Sequence, residues 1–238
     1  MLKGAVPLLR QFMLVNDLIL PARAEPVEAR SGLRMLEKSG AVIGTDEAGR
    51  GALAGPVVAA AAVLTREQEE ALLAMGLKDS KKVTALRREK IFKAMNDMGV
   101  LWRAYMGSPE SVDNDGISAA TLRTMKECVN RLARKVTGKI SCVIVDGTEE
   151  IPGIDFHQWA LIRADDLIPC VSAASIAAKV IRDRLMIKLA DKYPEYGFTH
   201  NKGYPTKFHM KTVMELGMTD IHRESFCRKI FLKGERKL

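Results

Sequence analysis

Ala41-Val42-Ile43-Gly44-Thr45-Asp46-Glu47-Ala48-Gly49-Arg50-Gly51 governs how the rest of the chain is read. It opens as an apolar run of strand length, and a strand end holds the residues that leave it on a rigid platform. Here those residues are an Asp-Glu pair, followed at once by a Gly-Arg-Gly turn. Two adjacent carboxylates repel each other unless a cation shares them. Glycine lets backbone N–H groups approach a ligand closely, and Arg50 places a guanidinium between two of them. A hard-metal site beside an anion-reading turn points to phosphodiester chemistry.

Working outward, Val57 to Leu64 is a second apolar run, bounded by Pro56 and Thr65. The two runs read as neighbouring strands joined by the Gly-Arg-Gly turn. Arg66 to Met75 reads as a short helix closed by Gly76. A basic loop, Leu77 to Lys82, leads to a helix from a Thr84 cap to about Met98. Val100 to Met106 reads as a strand. Ser108 and Pro109 make a helix start, with Ser as cap and Pro at the first position. Leu122, Met125, Val129, Leu132 and Val136 recur at helical spacing and predict a helix from Ile117 to Val136. Ile140 to Val145 is a strand ending in Asp146-Gly147. Ser172 to Tyr193 is a helix with Ala173, Ile176, Ala177, Val180 and Ile187 on one face and Arg184 intruding. Gly197 to Pro205 reads as a loop, and Thr206 to Leu216 as a helix stopped by Gly217. Strands separated by helices indicate an α/β fold.

Four acids stand out by position: Asp46, Glu47, Asp146 and Asp165. Asp46 and Asp146 end strands; if those strands are neighbours, their carboxylates meet at one sheet edge. Asp165 lies just ahead of the Ser172 helix, with Asp166 as its bystander. Carboxylates so gathered do not all ionise cheaply without cations, and Mg²⁺ or Mn²⁺ suits an all-oxygen set. Two such ions can activate a water and stabilise the leaving oxygen of a phosphodiester.

Composition agrees. The chain has 238 residues, 47% hydrophobic, enough for one sizeable core. A net charge of +8 fits a polyanionic partner. Cys128, Cys142, Cys170 and Cys227 form no Cys-x-x-Cys pair, which argues against a zinc knuckle and for reduced thiols in a cytoplasmic protein. No apolar run is long enough to span a bilayer. Residues 1–40 read as a poorly ordered extension, in which Pro21 to Arg30 is polar, Pro-containing and poor in core residues, and truncation near Ser39 should spare activity; residues 41–238 read as the catalytic domain. No heptad pattern is visible, so the expected state is a monomer.

The motifs resemble the ribonuclease HII family, the type 2 ribonucleases H. Gly44-Thr45-Asp46-Glu47-Ala48-Gly49-Arg50-Gly51 looks like that family's signature. The likeness continues in Asp79-Ser80-Lys81-Lys82, Val145-Asp146-Gly147, Ser172 to Val180 and His200-Asn201-Lys202-Gly203-Tyr204-Pro205-Thr206. The resemblance implies a ribonuclease H-like mixed sheet flanked by helices, with a C-terminal helical portion. It implies cleavage of the RNA strand of RNA–DNA hybrids and incision of duplex DNA 5′ to embedded ribonucleotides, leaving a 3′-hydroxyl and a 5′-phosphate. It gives Asp46, Glu47, Asp146 and Asp165 the role of metal ligands. Gly49, Arg50, Gly51 and Tyr204 would meet the ribonucleotide 2′-hydroxyl, the one group that separates RNA from DNA at a sugar. Ser80, Lys81 and Lys82 would hold phosphates. Ala52, Ala164 and Gly116 depart from the family's usual Pro, Gly and Asn. His200 and His209 read as structural, and Lys179 has no assigned role. The competing readings are a type 3 or DNA-cutting relative, which the Gly-Arg-Gly turn with Tyr204 argues against, and a basic binding protein without chemistry, which has no use for four gathered acids.

Overall fold

Side-chain alternation along two short strands sets the layers. The computed structural model describes residues 12–15, 18–21, 39–77 and 83–235. Two strands near the start, β1 (Phe12–Val15) and β2 (Leu18–Pro21), pair antiparallel. They fall within the segment read as an extension, most of which lies outside the described residues. The main sheet contains β3 (Ala41–Ala48), β4 (Val57–Val63), β5 (Leu101–Gly107), β6 (Ile140–Asp146) and β7 (Gln158–Leu161). Its order is β5-β4-β3-β6-β7. β4 runs antiparallel to both β3 and β5, whereas β3, β6 and β7 run parallel.

Successive strand side chains point to opposite faces. On β4, Ala60 and Ala62 pack with Leu72, Ile91, Ala173 and Ala177, while Ala59 and Ala61 pack with Met125, Cys128, Val129 and Leu132. The strand is therefore covered on both sides, which explains its unbroken apolar sequence. One cover is α4 (Ile117–Ala133). The other is α6 (Pro169–Lys192), with α1 (Arg66–Ala74) and α2 (Ala85–Asp97) beside it. Each fully buried Leu, Ile or Met in these layers contributes about 1.5–3 kcal/mol of transfer free energy. α6 comes closest at Gly44, where a Cβ would sit 2.3 Å from the Val171 nitrogen. No larger residue fits there, so Gly44 fixes how near the helix lies to β3.

Among the described residues, the remaining α-helices are α3 (Pro109–Asp115), α5 (Ala164–Leu167), α7 (Phe198–Asn201), α8 (Lys207–Leu216) and α9 (Glu224–Glu235). The caps read from sequence are present. Thr84 accepts from the Arg87 N–H, Ser108 from Ser111, and Thr206 from His209. Thr65 and Gln68 add a reciprocal capping box that supports the start of α1.

Three expectations are corrected. The long helix α6 starts at Pro169 rather than Ser172. Its buried stripe turns after Val180 to Arg182, Met186 and Ala190, so Ile187 is exposed and Arg184 reaches outward to Glu89. The Gly197–Pro205 stretch contains the helical turn α7, whose Phe198 is fully buried in the C-terminal core with Tyr196, Met186 and Val213. Among the described residues, no helix is long and apolar enough to cross a membrane. All four cysteines are buried.

Candidate active site

The parallel register of β3 and β6 pairs Thr45 with Val145, so Asp46 and Asp146, the next residue of each strand, lie side by side at one end of the sheet. β7 pairs Leu161 with Asp146, and the chain then turns into α5, which carries Asp165. Arg163 makes this turn in the left-handed region at φ 61°. Backbone N–H groups of Ala164 and Asp165 point at the Asp146 carboxylate. Ligand oxygens of Asp46, Asp146 and Asp165 consequently all lie within 4.8 Å of one another. Asp46 and Asp165 are buried and Asp146 is partly so.

Glu47 is beside this trio rather than inside it. Residues 46 and 47 alternate on β3, so Asp46 faces α6 while Glu47 faces the α4 side. Oε1 of Glu47 lies 3.8 Å from the Arg50 guanidinium. On the α6 side, Lys179 Nζ is 3.7 Å from Asp46 Oδ2, and Ser175 also hydrogen-bonds the Asp46 carboxyl. The Glu47 N–H donates to Asp46 Oδ1 at 2.7 Å.

These acids carry an electrostatic deficit. Burial raises the Asp46 carboxyl above its ordinary range against the opposing pull of Lys179. Burial and then Asp46 push Glu47 up to about 8. Burial, Asp46 and Asp165 push Asp146 to about 7. Oε2 of Glu47 and Oδ1 of Asp146 are buried without a hydrogen-bond partner. Buried, unsatisfied, mutually repelling oxygens are the donor set that a hard divalent cation satisfies.

Beside the acids, the turn at Gly49–Gly51 is held from beneath. Gly49 adopts φ 87°, and a Cβ there would lie 1.9 Å from the Arg182 Nε, so only glycine fits. Arg182 is buried and donates to three backbone carbonyls, those of Pro56, Ala54 and Lys202. Arg223, also buried, donates to the carbonyls of Arg50 and Gly55. Leu53 N–H donates to the Gly203 carbonyl at 2.8 Å, which ties the turn to the loop carrying Tyr204. The Tyr204 hydroxyl accepts the Gly49 N–H at 3.1 Å, and its ring stacks 5.0 Å from the Arg182 guanidinium. Tyr204 remains 38% exposed, so it is a ring presented to solvent beside the acids rather than a plug. Gly51 faces open space, and Arg50 donates to Ser118 Oγ at the start of α4.

Ser80, Lys81 and Lys82 lie outside the described residues. Sequence reasoning did not find Arg182 and Arg223, although the place of Arg182 in the i, i+4 row Ala178, Arg182, Met186, Ala190 was a usable signal for the first. Lys179, left without a role, contacts Asp46. Two departures from the family pattern also have reasons here. The Ala52 N–H, which proline lacks, closes the turn on the Gly49 carbonyl at 3.2 Å. Gly116 joins α3 to α4 at φ 81°, ψ 157°, a backbone region that asparagine avoids.

Comparison with known proteins agrees with this geometry. The family model described as Ribonuclease HII matches residues 43–229. A ribonuclease HII of Zymomonas mobilis is 40% identical over 187 residues, 79% of this chain and 84% of that protein. One from Polynucleobacter asymbioticus is 40% identical over 186 residues, covering 78% and 92%. The crystal structure of ribonuclease H2 from Pyrococcus horikoshii superposes with a TM-score of 0.65 at 30% identity, covering 80% of this chain and 96% of that one.

Proposed function

The chain belongs to the ribonuclease HII family, and from that premise we propose that it incises duplex DNA 5′ to embedded ribonucleotides as well as cutting the RNA strand of RNA–DNA hybrids. Membership makes it a metal-dependent hydrolase of the ribonuclease H class. One observation carries the finer reading: the acid cluster and the Gly49–Tyr204 contact are contiguous, since Asp46 and Gly49 are three residues apart at one strand end. A site that cuts a phosphodiester and a site that senses a sugar hydroxyl then address the same nucleotide.

We assign Asp46, Asp146 and Asp165, with Glu47 flanking, to two divalent ions, Mg²⁺ or Mn²⁺. When bound, such ions lower the pKa of a water and stabilise the leaving oxygen. The chain's own residues do the rest. Lys179 and Ser175 orient Asp46, and the N–H groups of Ala164 and Asp165 orient Asp146. Gly49, Arg50 and Gly51 offer backbone groups to the ribose on the open side of the turn, and the Tyr204 ring packs against the sugar. The bond broken is P–O3′, so the water oxygen stays on a 5′-phosphate and a 3′-hydroxyl leaves. Ser80 and Lys81 are assigned to backbone phosphates on the family resemblance. Arg50, with half its side chain exposed, faces the same partner. The four buried cysteines, with no Cys-x-x-Cys pair, suit a cytoplasmic enzyme, and we assign it as a monomer.

The test is a duplex carrying one ribonucleotide, incubated with the full chain and Mg²⁺ or Mn²⁺. A cut immediately 5′ to the ribonucleotide is expected. Cutting only within long RNA–DNA hybrids would reject the finer reading.

A further inference from the structure

His209 and His222 form a buried pair that the metal centre does not use. His209 is fully buried and His222 is 6% exposed. Their Nε2 atoms are 3.0 Å apart. The rings of Tyr196 and Phe198 enclose both, with centroids at 5.0 and 6.0 Å from His222 and 6.4 and 5.3 Å from His209. Burial holds both imidazoles below their ordinary titration range.

The ends of the pair fix its protons. The Thr219 backbone N–H, which can only donate, points at His222 Nδ1 from 3.0 Å. That nitrogen therefore carries a lone pair, and the ring proton is on Nε2. Nε2–H donates to His209 Nε2, which leaves the His209 proton on Nδ1. The atom facing His209 Nδ1 at 3.0 Å is the Tyr204 carbonyl oxygen, which can only accept. The two ends require the same tautomers independently. The result is a one-way chain from the Thr219 N–H through His222 and His209 to the Tyr204 carbonyl.

The chain ends on the residue whose hydroxyl meets Gly49. The Tyr204 backbone is thus fixed from behind by His209, while its side chain is fixed in front by the Gly49 N–H and beneath by Arg182. Asn201 and Arg182 pin the two residues before it, accepting from the Gly203 N–H and donating to the Lys202 carbonyl. We infer that His222 and His209 are positioning residues that hold Tyr204 against the Gly49 turn, and so set discrimination for the ribonucleotide. This rests on the sugar-sensing role proposed above.

The test has an activity arm and an arm independent of activity. In ¹⁵N-labelled protein, His209 should show the Nδ1–H tautomer and His222 the Nε2–H tautomer, and the Gly49 amide resonance should move in His209→Phe and return in His209→Asn. Asparagine keeps a donor at the Nδ1 position. In the activity arm, His209→Phe should lower kcat/KM on the single-ribonucleotide duplex about tenfold, the size expected for one lost orienting hydrogen bond. His209→Asn should recover most of it. In a Tyr204→Phe background the His209→Phe change should cost less than about twofold more. Should His209→Phe fail to fold, His209→Asn against His209→Gln makes the same comparison, with Asn the more active. Identical tautomers, an unmoved Gly49 amide, equal loss in both Tyr204 backgrounds, or Gln matching Asn would each overturn the inference. Should wild-type protein show the tautomers and the His209 variants the Gly49 response, while the wild type makes no cut at the ribonucleotide, the functional reading would be rejected instead.

Discussion

The acid cluster and the turn beside it are built on opposite electrostatic terms. At the cluster, carboxylates are buried against one another, with oxygens of Glu47 and Asp146 left unpartnered. At the turn, two buried guanidiniums have carbonyl acceptors for their N–H groups, and two buried imidazoles are joined in a directed chain. The first region is incomplete without a cation. The second is complete as folded. A metal site gains from unsatisfied charge, because the ion then binds where the protein is least content. The hydroxyl-sensing role proposed for the turn would gain from rigidity, since a loose tyrosine would accept either sugar.

The sharpest way to break this contrast is at Asp46. Asp46→Asn should reduce cleavage by at least about a thousandfold while hybrid binding stays within about threefold, read by single-turnover cleavage and fluorescence anisotropy. Normal cleavage by this variant would remove the metal reading. Arg182→Met should act on the other region. It strands the carbonyls of Ala54, Pro56 and Lys202, and should lower unfolding free energy by about 3 kcal/mol in urea titration. A loss under about 1 kcal/mol would mean the turn holds without it.

The smallest effect has the opposite sign. Asp146 rises to about 7 and Glu47 to about 8 from ordinary values of 3.8 and 4.5. Metal-free folded protein therefore keeps protons that the unfolded chain has released. Its stability is full below those ordinary values and falls as pH climbs to 7–8. Thermal melts in EDTA should show that fall. Asp146→Asn should remove about 2 kcal/mol of it, and added Mg²⁺ should flatten it in the wild type. Trimming the acid end stabilises, whereas trimming the turn end destabilises. Asp146→Asn that leaves the pH slope unchanged would erase that difference.

Much of this was legible from periodicity and punctuation. β3, β4 and β6 announced themselves as apolar runs, and the caps at Thr84, Ser108 and Thr206 are local chemistry that tertiary packing did not override. β7 was not legible. Gln158-Trp159-Ala160-Leu161 is four residues at a sheet edge, too short to show a period. Arg182 and Arg184 looked alike in sequence, yet two residues along a helix is more than half a turn, so one went in and the other out. Ala164 stands where the family's usual pattern has a glycine just before Asp165. The structure places the left-handed residue at Arg163 instead, and Ala164 begins an ordinary helical turn, so no glycine is needed there. Arg223 reached the turn through folding alone, since its partner Arg50 lies 173 residues away, whereas His209 and His222 are 13 residues apart and meet across the connection from α8 to α9.

The alternation of Asp46 and Glu47 on β3 has a genetic consequence. Deleting the Ile43 codon would leave the Gly-Thr-Asp-Glu-Ala-Gly-Arg-Gly string intact to any reader of sequences. In the sheet it would turn every following side chain over, sending Asp46 toward α4 and Glu47 under Lys179. Such a gene would still spell the signature, and its product would present the signature back to front.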